Sequence, residues 1–426
     1  MLRARPTSIS LSPPSGDMLL SLEAIRSVQT ARSLGARGVT LVLLALACGG
    51  LGIGTGEFAI MGLLPELAKT FNATVPDAGY AIMAYAAGVV IGAPVIAVAA
   101  ASASRRALLL ALMSLFSLGN LASAAAPSLN SLIALRFLTG LPHGAYFGVA
   151  ALVAASLAPP QRRTQAVGYV MLGLTIATLV GTPLMAVFGE MLSWRLMFLT
   201  VGLIGALTVF LLWLHLPYDR RPETSGVSGE LLAFARPQVL LTLLMAASGF
   251  GGMFSIFSYI AATAIDYTKL PVAMVPMIML LFGLGMNAGN LVGSRLADRS
   301  LMGSIGGTLI FNIVVMTGFG LFAPSPAALC LSAFLLGCGF AAAPAVQSRL
   351  MDVAHGGQTM AAASLHSAFN VANALGAWLG GKVIDNGMGY PATGYVGATL
   401  SIIGLGVFAV SYWIDAASPR KALPQS

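Results

Sequence analysis

Residues 38–65 read GVTLVLLALACGGLGIGTGEFAIMGLLP, and this stretch decides the fold class. It is 28 residues long, and only Glu57 in it is charged. About 20 mostly apolar residues are enough for a helix to cross the hydrocarbon core of a bilayer. A backbone group left unpaired in lipid costs several kcal/mol, so a spanning segment must be a helix or part of a closed barrel. Barrel strands alternate strictly and are about 10 residues long. This run does neither, so it reads as a membrane helix.

The same reading repeats along the chain. Apolar runs at 38–65, 75–101, 105–126, 130–157, 163–189 and 193–215 precede a polar loop at 216–236. Six more follow at 237–263, 272–297, 302–323, 326–350, 358–384 and 390–414. Gly, Pro and Asn mark the breaks, as at Asn72–Asp77, Pro159–Pro160 and Pro324–Pro326. The expectation is an all-α membrane protein with twelve transmembrane helices in two six-helix bundles, 38–215 and 237–414. Residues 216–236 are the linker, and 1–37 and 415–426 are tails. Each half covers 178 residues, which suggests a parallel repeat rocking around a midplane site.

Composition agrees. The chain of 426 residues is 57% hydrophobic and 8% charged, against about 25% charged residues in soluble domains. Its net charge of +8 does not make it a nucleic-acid binder, because the basic residues sit in pairs between apolar runs. With the amino terminus in the cytoplasm, 17 of the 22 Lys and Arg residues lie at or beyond the inner span ends, four at or beyond the outer ends, and only Arg136 lies deep within a span. That bias puts both termini in the cytoplasm and the protein in the inner membrane. The segment Met18–Arg32 reads as a short amphipathic helix, and no cleavable secretion signal is evident. Cys48, Cys330 and Cys338 lie in apolar runs without metal spacing and read as small buried hydrophobes.

Away from the span ends, Glu57 is the one acidic residue and Arg136 the one basic residue. A charge near the bilayer centre costs at least about 2.5–3.5 kcal/mol, so both call for a reason. Glu57 lies about 12 Å, and Arg136 about 9 Å, below the outer ends of their helices at 1.5 Å per residue. At that shared level Glu57 is a candidate proton carrier coupled to Arg136; the alternative is a static buried pair that fixes two helices. Arg136, Gly140, His143 and Gly144 share one helix face, and Pro142 frees a carbonyl beside His143. His143 is either a second titrating group or a neutral core imidazole. His366, Asn370 and Asn373 form a matching stripe on the eleventh helix, with Asn287 and Asn290 on the eighth. Such groups line a wet cavity or bind helices together. Glycines four apart, Gly88 and Gly92 on the second helix and Gly285, Gly289 and Gly293 on the eighth, suit helices that slide, or helices that simply pack tightly.

Enzyme motifs fail. Gly376–Lys382 matches part of a phosphate-binding loop, but Val383 stands where Ser or Thr is required. Neither a zincin motif nor a nucleophile elbow is found. No cofactor, metal or catalytic role is expected, and transport must draw on ion or solute gradients.

The chain resembles the drug:proton antiporter branch of the major facilitator superfamily, within it the arabinose-efflux-permease-like and chloramphenicol-resistance-like proteins. Arg136–Ala151 is similar to that group's helix 4 signature, Gly54–Phe58 with Gly62–Pro65 to its helix 1, and Ser364–Gly381 to its helix 11. The resemblance implies a coupling pair of Glu57 and Arg136. Ser294–Arg299 is similar to the superfamily's loop motif, so Asp298 and Arg299 are implied to latch the inner gate. The first-half copy keeps Arg105 and Arg106 but has Ser102 and Ser104 and no Asp. In helix 5, Gly173, Gly181, Thr182 and Pro183 fit the antiporter motif, whereas Met185 and Ala186 depart from it. The expectation is a monomeric exporter exchanging a small solute, drug or sugar-like, for protons by alternating access. The alternatives are a proton-independent facilitator or importer of the same fold, and a transport-inactive receptor.

Overall fold

The computed structural model describes residues 16–100, 103–181, 183–184, 193–218, 226–323, 325–354 and 357–417, and side chains from Leu34 onward. Every regular element among them is helical. The long helices are α1 (Gly16–Gly62), α2 (Val75–Ala99), α3 (Arg105–Ala124), α4 (Leu129–Leu157), α5 (Arg163–Ile176) and α6 (Trp194–His215). In the second half they are α7 (Pro237–Phe257), α8 (Val275–Arg299), α9 (Leu301–Phe322), α10 (Pro326–Cys338), α11 (Gln358–Val383) and α12 (Ala392–Ala417). A π turn, Ala177–Gly181, prolongs α5, and short helical segments carry α7 to Tyr267 and α10 to Val353. Eleven of these spans pass as membrane-crossing on length and apolarity. The twelfth, α11, has the length, 26 residues, but carries His366, Asn370 and Asn373.

Helix starts follow local chemistry. Thr74 and Asp77 form a reciprocal capping box at α2, as Ser128 and Ser131 do at α4. Ser104 and Ser300 accept from the third residue beyond them at the starts of α3 and α9, equivalent places in the two halves. Each such cap satisfies an otherwise orphaned N–H and contributes about 1 kcal/mol. Within α1 the helix breaks at Gly35, whose φ of 64° a side chain would strain. The break separates the segment from Gly16 onward from the span itself. The expected start at residue 38 falls just past it, and residues 1–15 of the expected tail at 1–37 lie outside the described residues.

Two bundles follow from the packing. In the first, α2 lies on α4, α3 on α6, and α1 on α5 and α6; in the second, α8 lies on α10, α9 on α12, and α7 on α11 and α12. The glycine ladders serve these contacts. A Cβ on Gly92 would come 2.5 Å from Leu141 Cα, and one on Gly289 would come 2.9 Å from Cys338 Cα. They hold α2 to α4 and α8 to α10 inside each bundle, so they favour tight packing over sliding. Between the bundles, α2 meets α11, and α5 meets α8, the pair that a two-fold exchange of halves produces. Helix α4 also crosses to α11 and is the most enclosed span, with 83% of its most apolar window buried. Exposed apolar side chains such as Leu118, Leu203, Val314 and Ile403 lie on α3, α6, α9 and α12, the surface a bilayer covers.

Candidate functional site

Arg136 lies on α4 with 0% of its surface exposed, and its Nε, Nη1 and Nη2 have no hydrogen-bond partner. Its guanidinium carbon sits 4.0 Å from the centroid of the Tyr85 ring on α2 and 5.8 Å from that of Phe198 on α6. A desolvated cation–π contact contributes about 2 kcal/mol. The effective penalty for burying an ion is several kcal/mol, so the rings offset only part of it. Glu57 on α1 is half-buried, and its charge interacts with Arg136. Among the described residues, however, the ion pairs within 4.0 Å are Arg163–Asp352 and Arg349–Asp415; Glu57 and Arg136 do not form one. Arg136 turns to the face of Tyr85 instead. Two further buried polar atoms lack partners on and near α1, Thr55 Oγ1 and Asn120 Oδ1, the latter 3.9 Å from where a Cβ on Gly56 would stand.

A hydrogen-bonded chain starts at Tyr85. The Tyr85 hydroxyl lies 3.0 Å from His143 Nδ1, and His143 Nε2 lies 3.1 Å from His366 Nδ1 on α11. Both imidazoles are buried, and His366 Nε2 has no partner. Each neutral imidazole has one donor and one acceptor nitrogen, so the chain can be filled in either direction. In one, Tyr85 donates to His143 and His143 to His366; in the other, His366 donates to His143 and His143 to Tyr85. The Phe147 ring stacks on His366 at 4.3 Å, and Phe369 meets its edge at 5.5 Å. Close approach of α4 to α11 depends on Gly144 and Gly148, since a Cβ on Gly148 would lie 2.8 Å from Ala363 Cα. Asn370 donates to His366 O at 3.0 Å, and Asn373 is half-buried on the next turn.

On the side of the membrane that holds the basic loops, the bundles are fastened. Asp298 Oδ1 and Oδ2, at the end of α8, accept from the Thr164 and Gln165 amides at 2.7 and 3.1 Å. These are first-turn N–H groups of α5, where a carboxylate complements the helix dipole. Arg163 pairs with Asp352 at 3.3 Å. Asn290 donates to Gly168 O at 2.8 Å and Asn287 to Thr175 O at 2.9 Å, so both asparagines bind helices together. Arg299 is exposed. Arg106 donates to Leu216 O and Trp213 O, with Tyr218 beneath its guanidinium at 3.9 Å. The final carbonyls of α6 lack intrahelical partners, and a cation satisfies them. Arg105 lies near Glu230 of the linker. Of the helix 5 positions, Gly173 packs on Ala47 and Gly181 on Thr55, while Thr182, Met185 and Ala186 lie outside the described residues.

Sequence reasoning missed Tyr85, Phe147 and Glu230. Tyr85 shares a face with Gly88 and Gly92 at i, i+3 and i+7, a signal that was present. The profile of the Major Facilitator Superfamily matches residues 46–365. The chain belongs to the major facilitator superfamily. Members of that superfamily act by conformational change and are not enzymes. The inner membrane transport protein YdhP of Escherichia coli is 38% identical over 364 residues, covering 85% of this chain and 94% of YdhP. A chloramphenicol resistance protein of Streptomyces lividans is 30% identical over 345 residues, 79% of this chain and 86% of that protein. The superfamily transporter FucP, in its outward conformation, superposes with a TM-score of 0.73 at 14% identity, covering 88% of this chain and 99% of FucP. The FucP likeness concerns the fold alone.

Proposed function

We propose that this protein is an inner-membrane exporter that exchanges a cytoplasmic solute for external protons, its basic loops facing the cytoplasm. The observation that carries the reading is the buried hydrogen-bonded chain from Tyr85 through His143 to His366. It runs from one bundle to the other and begins at the ring that carries Arg136, whose charge Glu57 feels. Glu57 is the proton carrier. When it is ionised, its charge offsets part of the burial penalty of Arg136. When it takes up a proton, Arg136 becomes an uncompensated cation in the core, which favours rearrangement of α1 and α4.

The His143–His366 contact is geometrically tied to closure on the basic-loop side. If α4 and α11 separate there, the bond breaks and both imidazoles gain water. Proton movement between Tyr85 and His366 is then continuous only in the closed form. One proton moving down 100 mV supplies about 2.3 kcal/mol, enough for a solute gradient of tens-fold. Few charges and a run of aromatic rings, Phe147, Phe369, Phe250 and Phe340, suit a neutral or weakly cationic amphiphile. The drug-resistance name of the Streptomyces relative supports that class, and sugar-like solutes are the second candidate.

The test is solute uptake into proteoliposomes with an imposed inside-acid gradient, using labelled chloramphenicol and arabinose. Accumulation that collapses when a protonophore is added is the expected result. Equilibration unaffected by the gradient would identify a facilitator instead.

A further inference from the structure

Asp298 serves α5 from the end of α8, and a two-fold exchange of halves requires a carboxylate at the end of α2 to serve α11. None is there: residues 100–104 are Ala, Ala, Ser, Ala and Ser. Yet the first-turn amides of α11 are not orphaned. Glu230, on the linker helix Gly226–Phe234, accepts from the Met360 amide at 2.9 Å through Oε2, and the Thr359 amide and hydroxyl bond to the same carboxylate.

The positions correspond one for one. Thr164 and Gln165 are the second and third residues of α5, and Thr359 and Met360 are the second and third residues of α11. We infer that Glu230 is the second latch of the basic-loop gate, a linker carboxylate standing in for the one that the end of α2 lacks.

Three observations support a fitted seat. Glu230 is only 5% exposed although it lies in a connecting segment. The linker helix packs on both α11 and α2, so it bridges the two bundles, and Arg105 at the start of α3 lies near its carboxylate. Gly357 marks the point of closest approach: a Cβ there would stand 2.8 Å from Gly229 O and 2.9 Å from Glu230 Cα. Burial pushes the Glu230 carboxyl above its usual range, and the Met360 and Thr359 hydrogen bonds and then Arg105 pull it back. The latch therefore works through acceptor oxygens on helix N–H groups, and an uncharged acceptor retains it. Opening the gate requires the linker helix to leave α11 or to move with it, which ties the linker to the transport cycle.

The inference rests on rocking of the two bundles and not on proton coupling. The experiment is distance measurement between spin labels at Gln161 and Ala416 in the full chain, with the three native cysteines replaced by serine. Relative to its parent, Glu230→Ala is expected to lower the closed-to-open ratio roughly three- to tenfold, the weight of a helix N-terminal carboxylate, and Asp298→Ala is expected to do likewise. Glu230→Gln keeps an acceptor and is expected to stay within about twofold of the parent. Gly357→Val leaves the carboxylate intact and pushes the linker helix away, so it should reproduce the Glu230→Ala shift even if Glu230→Ala fails to fold. Parent-like distances for Glu230→Ala, or for Gly357→Val, while Asp298→Ala shifts, overturn the latch. One fixed distance in every protein, the parent included, also overturns it, and then the rocking itself has failed.

Discussion

His143 and His366 stand 3.1 Å apart, Nε2 to Nδ1, on helices of opposite bundles, in a contact closed to solvent. A bond of this kind reports the conformation, because the bundles cannot part at that level without breaking it. Replacing His366 by Phe keeps the stack on Phe147 but ends the chain at His143. The expected outcome is a loss of proton-coupled flux by tenfold or more in proteoliposomes, with insertion unchanged. Tyr85→Phe leaves His143 Nδ1 unpaired, a destabilisation of about 1–3 kcal/mol, visible as a lowered Tm.

Arg136 separates stability from function. Its three guanidinium nitrogens lack protein partners, and an apolar residue of similar volume removes a buried charge that is only partly compensated. Arg136→Met is expected to give a Tm equal to or above that of the parent, together with no coupled transport. Arg136→Lys is not a conservative change, since the flat guanidinium lies over the Tyr85 ring, and it should also lose most of the flux. A melting curve and a flux assay on the same preparation check both.

Asp298 predicts a local signature. With Asp298→Ala the amides of Thr164 and Gln165 lose their acceptor, at a cost of about 1 kcal/mol for a helix cap. Amide exchange at the start of α5 should quicken about fivefold, while exchange in α9, remote from the gate, stays as in the parent.

Two glycines should fail in different ways. Gly92 packs on Leu141 inside one bundle, and Gly92→Leu is expected to cost several kcal/mol and the folded protein with it. Gly148 packs on Ala363 across the interface. Gly148→Val should leave each bundle folded but hold the basic-loop side apart, detectable as faster labelling of a cysteine introduced in place of the buried Ser294.

Much of this was legible in the sequence, for physical reasons. Lipid allows few solutions, so apolar runs of about 20 residues and the placement of lysine and arginine give helix number and order almost directly. Glu57 and Arg136 stood out because charge in a bilayer is costly. The glycine ladders were visible, but not which helices they join: Gly92 faces Leu141 within a bundle, whereas Gly148 faces Ala363 across one. Arg106 kept its family position while its side chain turned to the end of α6, which motif reading does not detect. Glu230 was hidden because a polar linker offers no periodicity from which a buried acceptor could be inferred.

The central claim is proton exchange through Glu57, and proton movement in everted membrane vesicles tests it most directly. Respiration acidifies the lumen, a pH-sensitive dye reports it, and candidate drugs and sugars are added in turn to wild type and to Glu57→Gln. The account predicts that at least one solute dissipates the gradient in wild type and that Glu57→Gln, present in the membrane at equal amount, leaves it intact. Equal dissipation by both proteins, or labelled solute crossing with no proton movement in wild type, would contradict it.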